Sequence, residues 1–212
     1  MDEESRRAIA FVCQALAPFF LDDPEHDKAV VMPAFEAFAG LDVASAASEW
    51  PFVEGTAARP ALQLMKEGSS PECFEGNVWE YRRLFVGPGK KPAPPWGSVY
   101  TDRECVVFGA TCLDLRAWMR ENGIERLSGE REPEDHIGLL LLLVAWVVEH
   151  KPELTEDALR LHLLPWSSHM LEQIESAANV PFYKGLASLT RLSLEGIQAE
   201  FEIDVVHPRF YR

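Results

Sequence analysis

Apolar side chains recur three, four and seven residues apart along most of this chain, the spacing of a helix that buries one face. The first such run, Ala8, Phe11, Val12, Ala15, Leu16, Phe19 and Phe20, stops at Asp22-Asp23-Pro24. A second helix is predicted over Asp27–Ala39, with Pro33 starting, kinking or splitting it. Residues 40–57 read as loop with one short helical turn, and Ala58–Lys66 as a short helix ended by Gly68-Ser69-Ser70. Pro71 then opens a stronger helix whose apolar side is Phe74, Val78, Tyr81, Leu84 and Phe85. Glu72 and Glu75 occupy its first turn, where the helix dipole favours acids. Gly87-Pro88-Gly89 ends it, and the prolines and glycines that follow as far as Pro95 demand an extended, stiff segment.

Helical spacing resumes over 110–122 and stops at Gly123. After a polar connection at 124–131, Pro133 is expected to open a central helix, Glu134–His150, that is apolar nearly all round and so runs through the core. Three further helices are predicted near 155–164, 166–178 and 181–201. Strand-like alternation is confined to Cys105–Phe108 and Phe201–Val206, so the fold class is all-α: one globular multi-helix domain over 1–212. The segments near 87–100 and 123–131 are long enough to permit domain exchange, which leaves the oligomeric state open.

Composition narrows the classes of function. Hydrophobic residues make up 47% and charged residues 25%, the balance of a globular protein. The net charge of −14 repels phosphate backbones and anionic membranes and favours cationic ligands. The longest apolar run, Ile137–Val148, falls short of the roughly 20 residues that a bilayer span needs, so no stable membrane insertion is expected. The N-terminus places acids before its apolar stretch and lacks the order of a signal peptide. Cys13, Cys73, Cys105 and Cys112 show no two-residue spacing and read as reduced thiols in a cytoplasmic protein.

Two constellations stand out. The first is Trp79 to Tyr100, in which a proline-rich stretch carries Trp96 and Tyr100. Such a stretch is already stiff, so it loses little entropy on contact with a ligand, and its aromatics make peptide-binding walls. The plainer alternative is that Leu84, Phe85 and Trp96 pack the core. A phosphate loop is excluded, because there is no G-K-[ST] ending and the prolines have no N–H to offer.

The second is Glu130-Arg131-Glu132-Pro133-Glu134-Asp135-His136. Four acids in six residues exceed what one helix end needs and suit an arginine pair, since guanidinium groups pair bidentately with carboxylates. His162 and His169, seven apart across a proline, make no metal site. No catalytic motif is present, so the chain is read as neither an enzyme nor a cofactor carrier.

Five motifs in order then carry a resemblance: LFVGPG-x2-PAPPWGSVY-x-DRE from Leu84, FG-x3-L-x-LR-x-WMRE-x-GI from Phe108, EPEDHIG-x-LLL from Glu132, HLLPWS from His162 and PFYKGLASLTRL from Pro181. Together they resemble the TorD/DmsD family of maturation chaperones, most nearly its DmsD branch, over roughly Trp79 to Arg212. The resemblance implies a cytoplasmic, non-catalytic, all-helical chaperone. It would bind the twin-arginine leader of a molybdopterin-containing reductase subunit, of the dimethyl sulfoxide reductase type, and delay its delivery to the twin-arginine translocase. The leader-binding residues it implies are Leu84, Phe85, Pro95, Trp96, Pro133, Asp135 and His136, with Tyr81 and Glu132 as neighbours. Gly89-Lys90-Lys91 departs from the pattern, standing where an aromatic or aliphatic side chain is expected. Two alternatives stay open: a sibling chaperone that grips the body of another molybdoenzyme and, more remotely, a nucleotide-binding enzyme.

Overall fold

A computed structural model describes residues 1–126 and 132–212; the sequence-derived acidic cluster therefore loses Glu130 and Arg131, which lie outside the described residues. Aspartate side chains start two of the early helices. Asp2 accepts from the Ser5 N–H ahead of α1 (Glu3–Leu16), and Asp42 does the same for Ser45 ahead of α4 (Val43–Glu49), both at 2.8 Å. Between them lie α2 (Pro18–Leu21) and α3 (Lys28–Ala39), the latter continuous through Pro33. Next come α5 (Gly55–Gly68), longer at both ends than its apolar spacing suggests, and α6 (Phe74–Tyr81). Residues 40–57 thus hold a helix of seven residues rather than one turn.

Helix α6 passes directly into a π-helical turn, Arg82–Val86, which closes with the Gly87 N–H donating to the Arg82 carbonyl at 2.5 Å. The stretch to Trp96 is irregular, as its prolines require. Then follow α7 (Gly97–Thr101), α8 (Ala110–Glu121), α9 (Ile137–His150), the short α10 (Thr155–Asp157), a second π-helical segment Ala158–Leu163, α11 (Leu164–Ala177) and α12 (Pro181–Glu200). The two helices expected near 155–164 and 166–178 are one run, because Pro165 sits in the first turn of α11, where its missing N–H costs nothing.

The two strand-like patterns form no strand. Cys105 and Phe108 adopt positive φ of 51° and 65°, which breaks extended pairing, and Phe201–Val206 is a turn followed by irregular chain. Among the described residues the one β-type contact is an isolated antiparallel bridge between Trp96 and His136.

Helix α9 runs through the middle, as its uniform apolarity predicts, packing on α1 and the second π segment, while α12 packs on α5 and α11. Phe19, Phe35, Phe38 and Phe182 form an edge-to-face and tilted cluster with centroids 4.6–6.4 Å apart, joining α2, α3 and α12. Helices α5 and α12 approach so closely that a Cβ on Gly185 would lie 2.5 Å from the Ala61 carbonyl oxygen. No single helix among the described residues is long and apolar enough to cross a membrane, and α3 and α4, which pass that test only as a pair, are bent by 102°.

Candidate functional site

The central helix starts three residues later than the sequence suggests, and that difference builds the site. Glu134 and Asp135 do not enter the first turn of α9. Instead His136 caps it, its Nδ1 accepting from the Gly138 N–H at 3.1 Å, which places the ring proton on Nε2. The residues before the cap pair with the proline-rich segment. Ile137 N–H donates to the Pro95 carbonyl (2.8 Å), Gly97 N–H to the Asp135 carbonyl (3.1 Å), and Ser98 N–H to Asp135 Oδ2 (2.7 Å). Asp135 thus supplies from a distant segment the N-terminal cap that α7 lacks in its own sequence.

Four residues of the sequence-derived site meet near the surface at this junction. Trp96, half-buried, donates from Nε1 to Glu132 Oε1 at 2.7 Å, and its ring stands edge-on to His136 with centroids 6.2 Å apart. Pro95 and Pro133 are buried on either side of it. Lys91 Nζ lies 5.7 Å from the centroid of the Trp96 ring, so one of the departing lysines is a cation–π partner here.

The remaining five face inward. Asp135 and His136 are buried, with 1% and 4% of their surface exposed. Burial, reinforced by the Arg126 charge, pushes the His136 pKa down to about 3, so the ring is neutral. Leu84 and Phe85 sit on the first π segment and are buried; Phe85 packs on Phe20, Tyr81 and Tyr183 with centroids 5.2–6.1 Å apart. Tyr81 donates its hydroxyl to the carbonyls of Phe20 (3.2 Å) and Leu21 (3.0 Å), and burial raises its pKa well above the ordinary value. For Leu84 and Phe85 the plainer expectation of core packing holds: both are buried, on the side that the helical spacing marks as apolar.

Sequence reasoning missed the groups that hold the carboxylates. Arg116 Nε on α8 donates to Glu134 Oε2 at 2.5 Å, and the Cys112 thiol reaches the same oxygen at 3.6 Å. Burial is the largest single influence on Glu134 and would raise its pKa, but the Arg116 hydrogen bond and charge, a backbone hydrogen bond and the Cys112 thiol together outweigh it and the net shift is downward. Cys112 is pushed up to about 12, first by burial and then by the Asp135 charge, which leaves it an inert thiol. Glu132, Glu134 and Asp135 are each engaged within the protein, leaving Asp135 Oδ1 as a buried acceptor without a partner. Among the described residues, no group of three or more His, Cys, Asp or Glu is placed to hold a metal ion.

Residues 55–172 match the family model described as the nitrate reductase delta subunit. The chain is 40% identical to the Tat proofreading chaperone DmsD of Salmonella typhimurium over 97% of both proteins. It belongs to the TorD/DmsD chaperone family. Another member, the probable Tat proofreading chaperone DmsD of Haemophilus influenzae, is 46% identical over 66% of this chain and 69% of its own length. The fold is shared with a putative redox enzyme maturation protein from Archaeoglobus fulgidus, with a TM-score of 0.53 at 19% identity, covering 92% of this chain and 96% of that one. Relatives in the TorD/DmsD family are named as chaperones, and this chain takes its place among them as a chaperone rather than an enzyme.

Proposed function

We propose that the protein is a cytoplasmic chaperone that binds the twin-arginine leader of a molybdopterin-containing reductase, of the dimethyl sulfoxide reductase type. It holds that subunit back from the translocase until assembly is complete. The observation that carries this reading is identity at 40% along nearly the whole length of a protein named as a Tat proofreading chaperone. The site supports it physically. Trp96 offers an aromatic face at the surface, its indole N–H held by Glu132, beside Pro95 on a stiff segment that is already ordered. Tyr81, Leu84, Phe85, Asp135 and His136 support that surface from within.

Calorimetry tests the proposal with a synthetic peptide carrying two adjacent arginines and an alanine–leucine run. Its control has glutamines for the arginines and serines for the leucines. Heats that differ between the two peptides are expected, and equal heats reject specific recognition. A second reading, a sibling chaperone acting on the body of another molybdoenzyme, is favoured only by the nitrate reductase name of the matching family model. Capture of a leaderless reductase as readily as the full subunit would select it.

A further inference from the structure

A second cleft, of about 470 Å³, opens on the far side of α7, between α8, the π segment Ala158–Leu163 and residues 204–208. Its size is that of a ligand site, and π turns inside helical runs are frequent at functional sites. Trp118 and Trp166 line it together with His162. The Trp118 ring lies 5.0 Å from His162, and Trp166 Nε1 donates to the His162 carbonyl at 2.8 Å. His162 is 95% buried on this wall, and its Nε2 has no hydrogen-bond partner. Leu161 and Val206 stand at the lip with 44% and 82% of their surface exposed.

Three carboxylates surround this aromatic floor: Asp114 and Glu121, seven residues apart on one face of α8, and Asp204 on the C-terminal segment. None of the three has an ion pair or hydrogen bond among the described residues. Arg160, the cation in the lining, is matched by Asp157 at 2.7 Å, with Glu156 at 3.9 Å. The acids at 132–135 are engaged by Trp96, Arg116 and Ser98, whereas the three carboxylates of the cleft have no such partner among the described residues.

We infer that this cleft receives the cationic end of the leader: an extended segment that offers guanidinium groups to Asp114, Glu121 and Asp204 and an aliphatic side chain to Trp118 and Leu161. The inference rests on the leader-binding reading and locates its arginine recognition. The geometry joins the two surfaces. Gly97 packs so closely on Trp166 that a Cβ there would lie 2.7 Å from the indole, and Thr101, at the other end of α7, lines the cleft. Five helical residues span about 7.5 Å, which an extended peptide crosses in about two or three residues. The length of α7 is thus the spacing in the chain between Trp96 and the cleft-lining Thr101.

The test uses the full chain and a fluorescein-labelled peptide with two adjacent arginines ahead of an alanine–leucine run, beside a version with glutamines for the arginines. Anisotropy titrations compare the wild type with the triple variant Asp114→Asn, Glu121→Gln, Asp204→Asn, with Leu161→Ser, and with Trp96→Ala. All of these positions are exposed or half-exposed, and circular dichroism checks the fold. The triple variant is expected to bind the arginine peptide about tenfold more weakly, as three surface ion pairs predict, with little change for the glutamine peptide. Leu161→Ser and Trp96→Ala weaken both peptides several-fold. Unchanged arginine-peptide affinity in both the triple variant and Leu161→Ser, with Trp96→Ala still impaired, overturns the cleft and leaves leader binding standing. A wild type that does not distinguish the two peptides overturns both.

Discussion

Asp135 is the side chain whose removal most directly tests the account of the site. In Asp135→Ala the Ser98 N–H, buried at the start of α7, loses its acceptor. An unsatisfied buried donor costs about 1–3 kcal/mol. Loss of a carboxylate from a helix N-terminus adds roughly 0.3–1 kcal/mol. Removal of a buried charge whose Oδ1 is unpartnered offsets part of this, so a net loss of about 2 kcal/mol is expected. Asp135→Asn keeps an oxygen for Ser98 and gives up only the charge assistance, a loss of about 1 kcal/mol. Urea unfolding followed by circular dichroism reads these differences; at a slope of about 2–3 kcal/mol/M, the alanine variant shifts the midpoint by about 0.7–1 M. Binding of the two-arginine peptide should fall several-fold in Asp135→Ala and recover in Asp135→Asn, because Asp135 acts by fixing α7. If the asparagine variant keeps its stability but loses binding as fully as the alanine variant, the carboxylate touches the peptide itself and the positioning argument is wrong.

Three further predictions follow from the packing. His136 and His162 have folded pKa values pushed down to about 3 and about 4 from an unfolded value near 6.5. The unfolded chain therefore takes up their protons first. Stability is complete above pH 6.5 and falls as the pH drops through the window down to about 4 and then 3, by about 1.4 kcal/mol per pH unit for each ring. Urea midpoints measured from pH 7.5 to 4.5 should show this slope, with His162→Asn removing one proton's worth of it; a flat profile would falsify the buried, neutral assignment. Gly97→Ala drives a methyl group into the Trp166 indole and should cost about 1–3 kcal/mol, with a changed tryptophan emission spectrum. Glu134→Gln weakens the Arg116 contact, which is part-exposed, so its cost in urea unfolding should be under about 1 kcal/mol, and a loss above about 2 would mean that the contact anchors the junction.

The fold was legible wherever one helical face or a whole helix is apolar. Ile137–His150 reads as core from its own letters, and the stops at Gly87 and Gly123 follow from residue chemistry. Three features were not legible, each for a physical reason. The π turns at Arg82–Val86 and Ala158–Leu163 have a period longer than 3.6 that no residue pattern announces, although the ordinary spacing still places Leu84 and Phe85 on the inward side. The start of α9 moved because Asp135 satisfies backbone groups 37 residues away, a pairing no local signal announces. The acidic run looked available because the groups that engage it, Arg116 on α8 and the Trp96 indole, are remote in sequence. The order of the motifs was informative where local chemistry was not: it led to the family through residues such as Asp135, which the fold uses as internal support.

Helix α7 is the element on which both halves of the site depend, and its sequence alone would not hold it. Five residues form too short a helix to persist by propensity, so outside contacts must fix it. Asp135 caps its start, the Trp166 indole closes on Gly97 from behind, and Tyr100 is bound from two directions. Its hydroxyl donates to the Pro94 carbonyl at 2.8 Å, and its own carbonyl accepts from the Tyr211 N–H at 2.9 Å. That last contact ties in the C-terminal segment, where Phe210 stacks on His169 with centroids 4.2 Å apart. The same segment carries Asp204 into the cleft. A peptide that must meet an aromatic face at Trp96 and carboxylates beyond Thr101 gains affinity only if the two stay in fixed register, since each degree of freedom frozen on binding subtracts from it. Asp135 and His136, buried side chains that the family pattern marks, hold α7 and the proline-rich segment in place through Ser98, Gly97 and the bridge to Trp96. Their loss should weaken binding by loosening that register, even where no peptide atom reaches them.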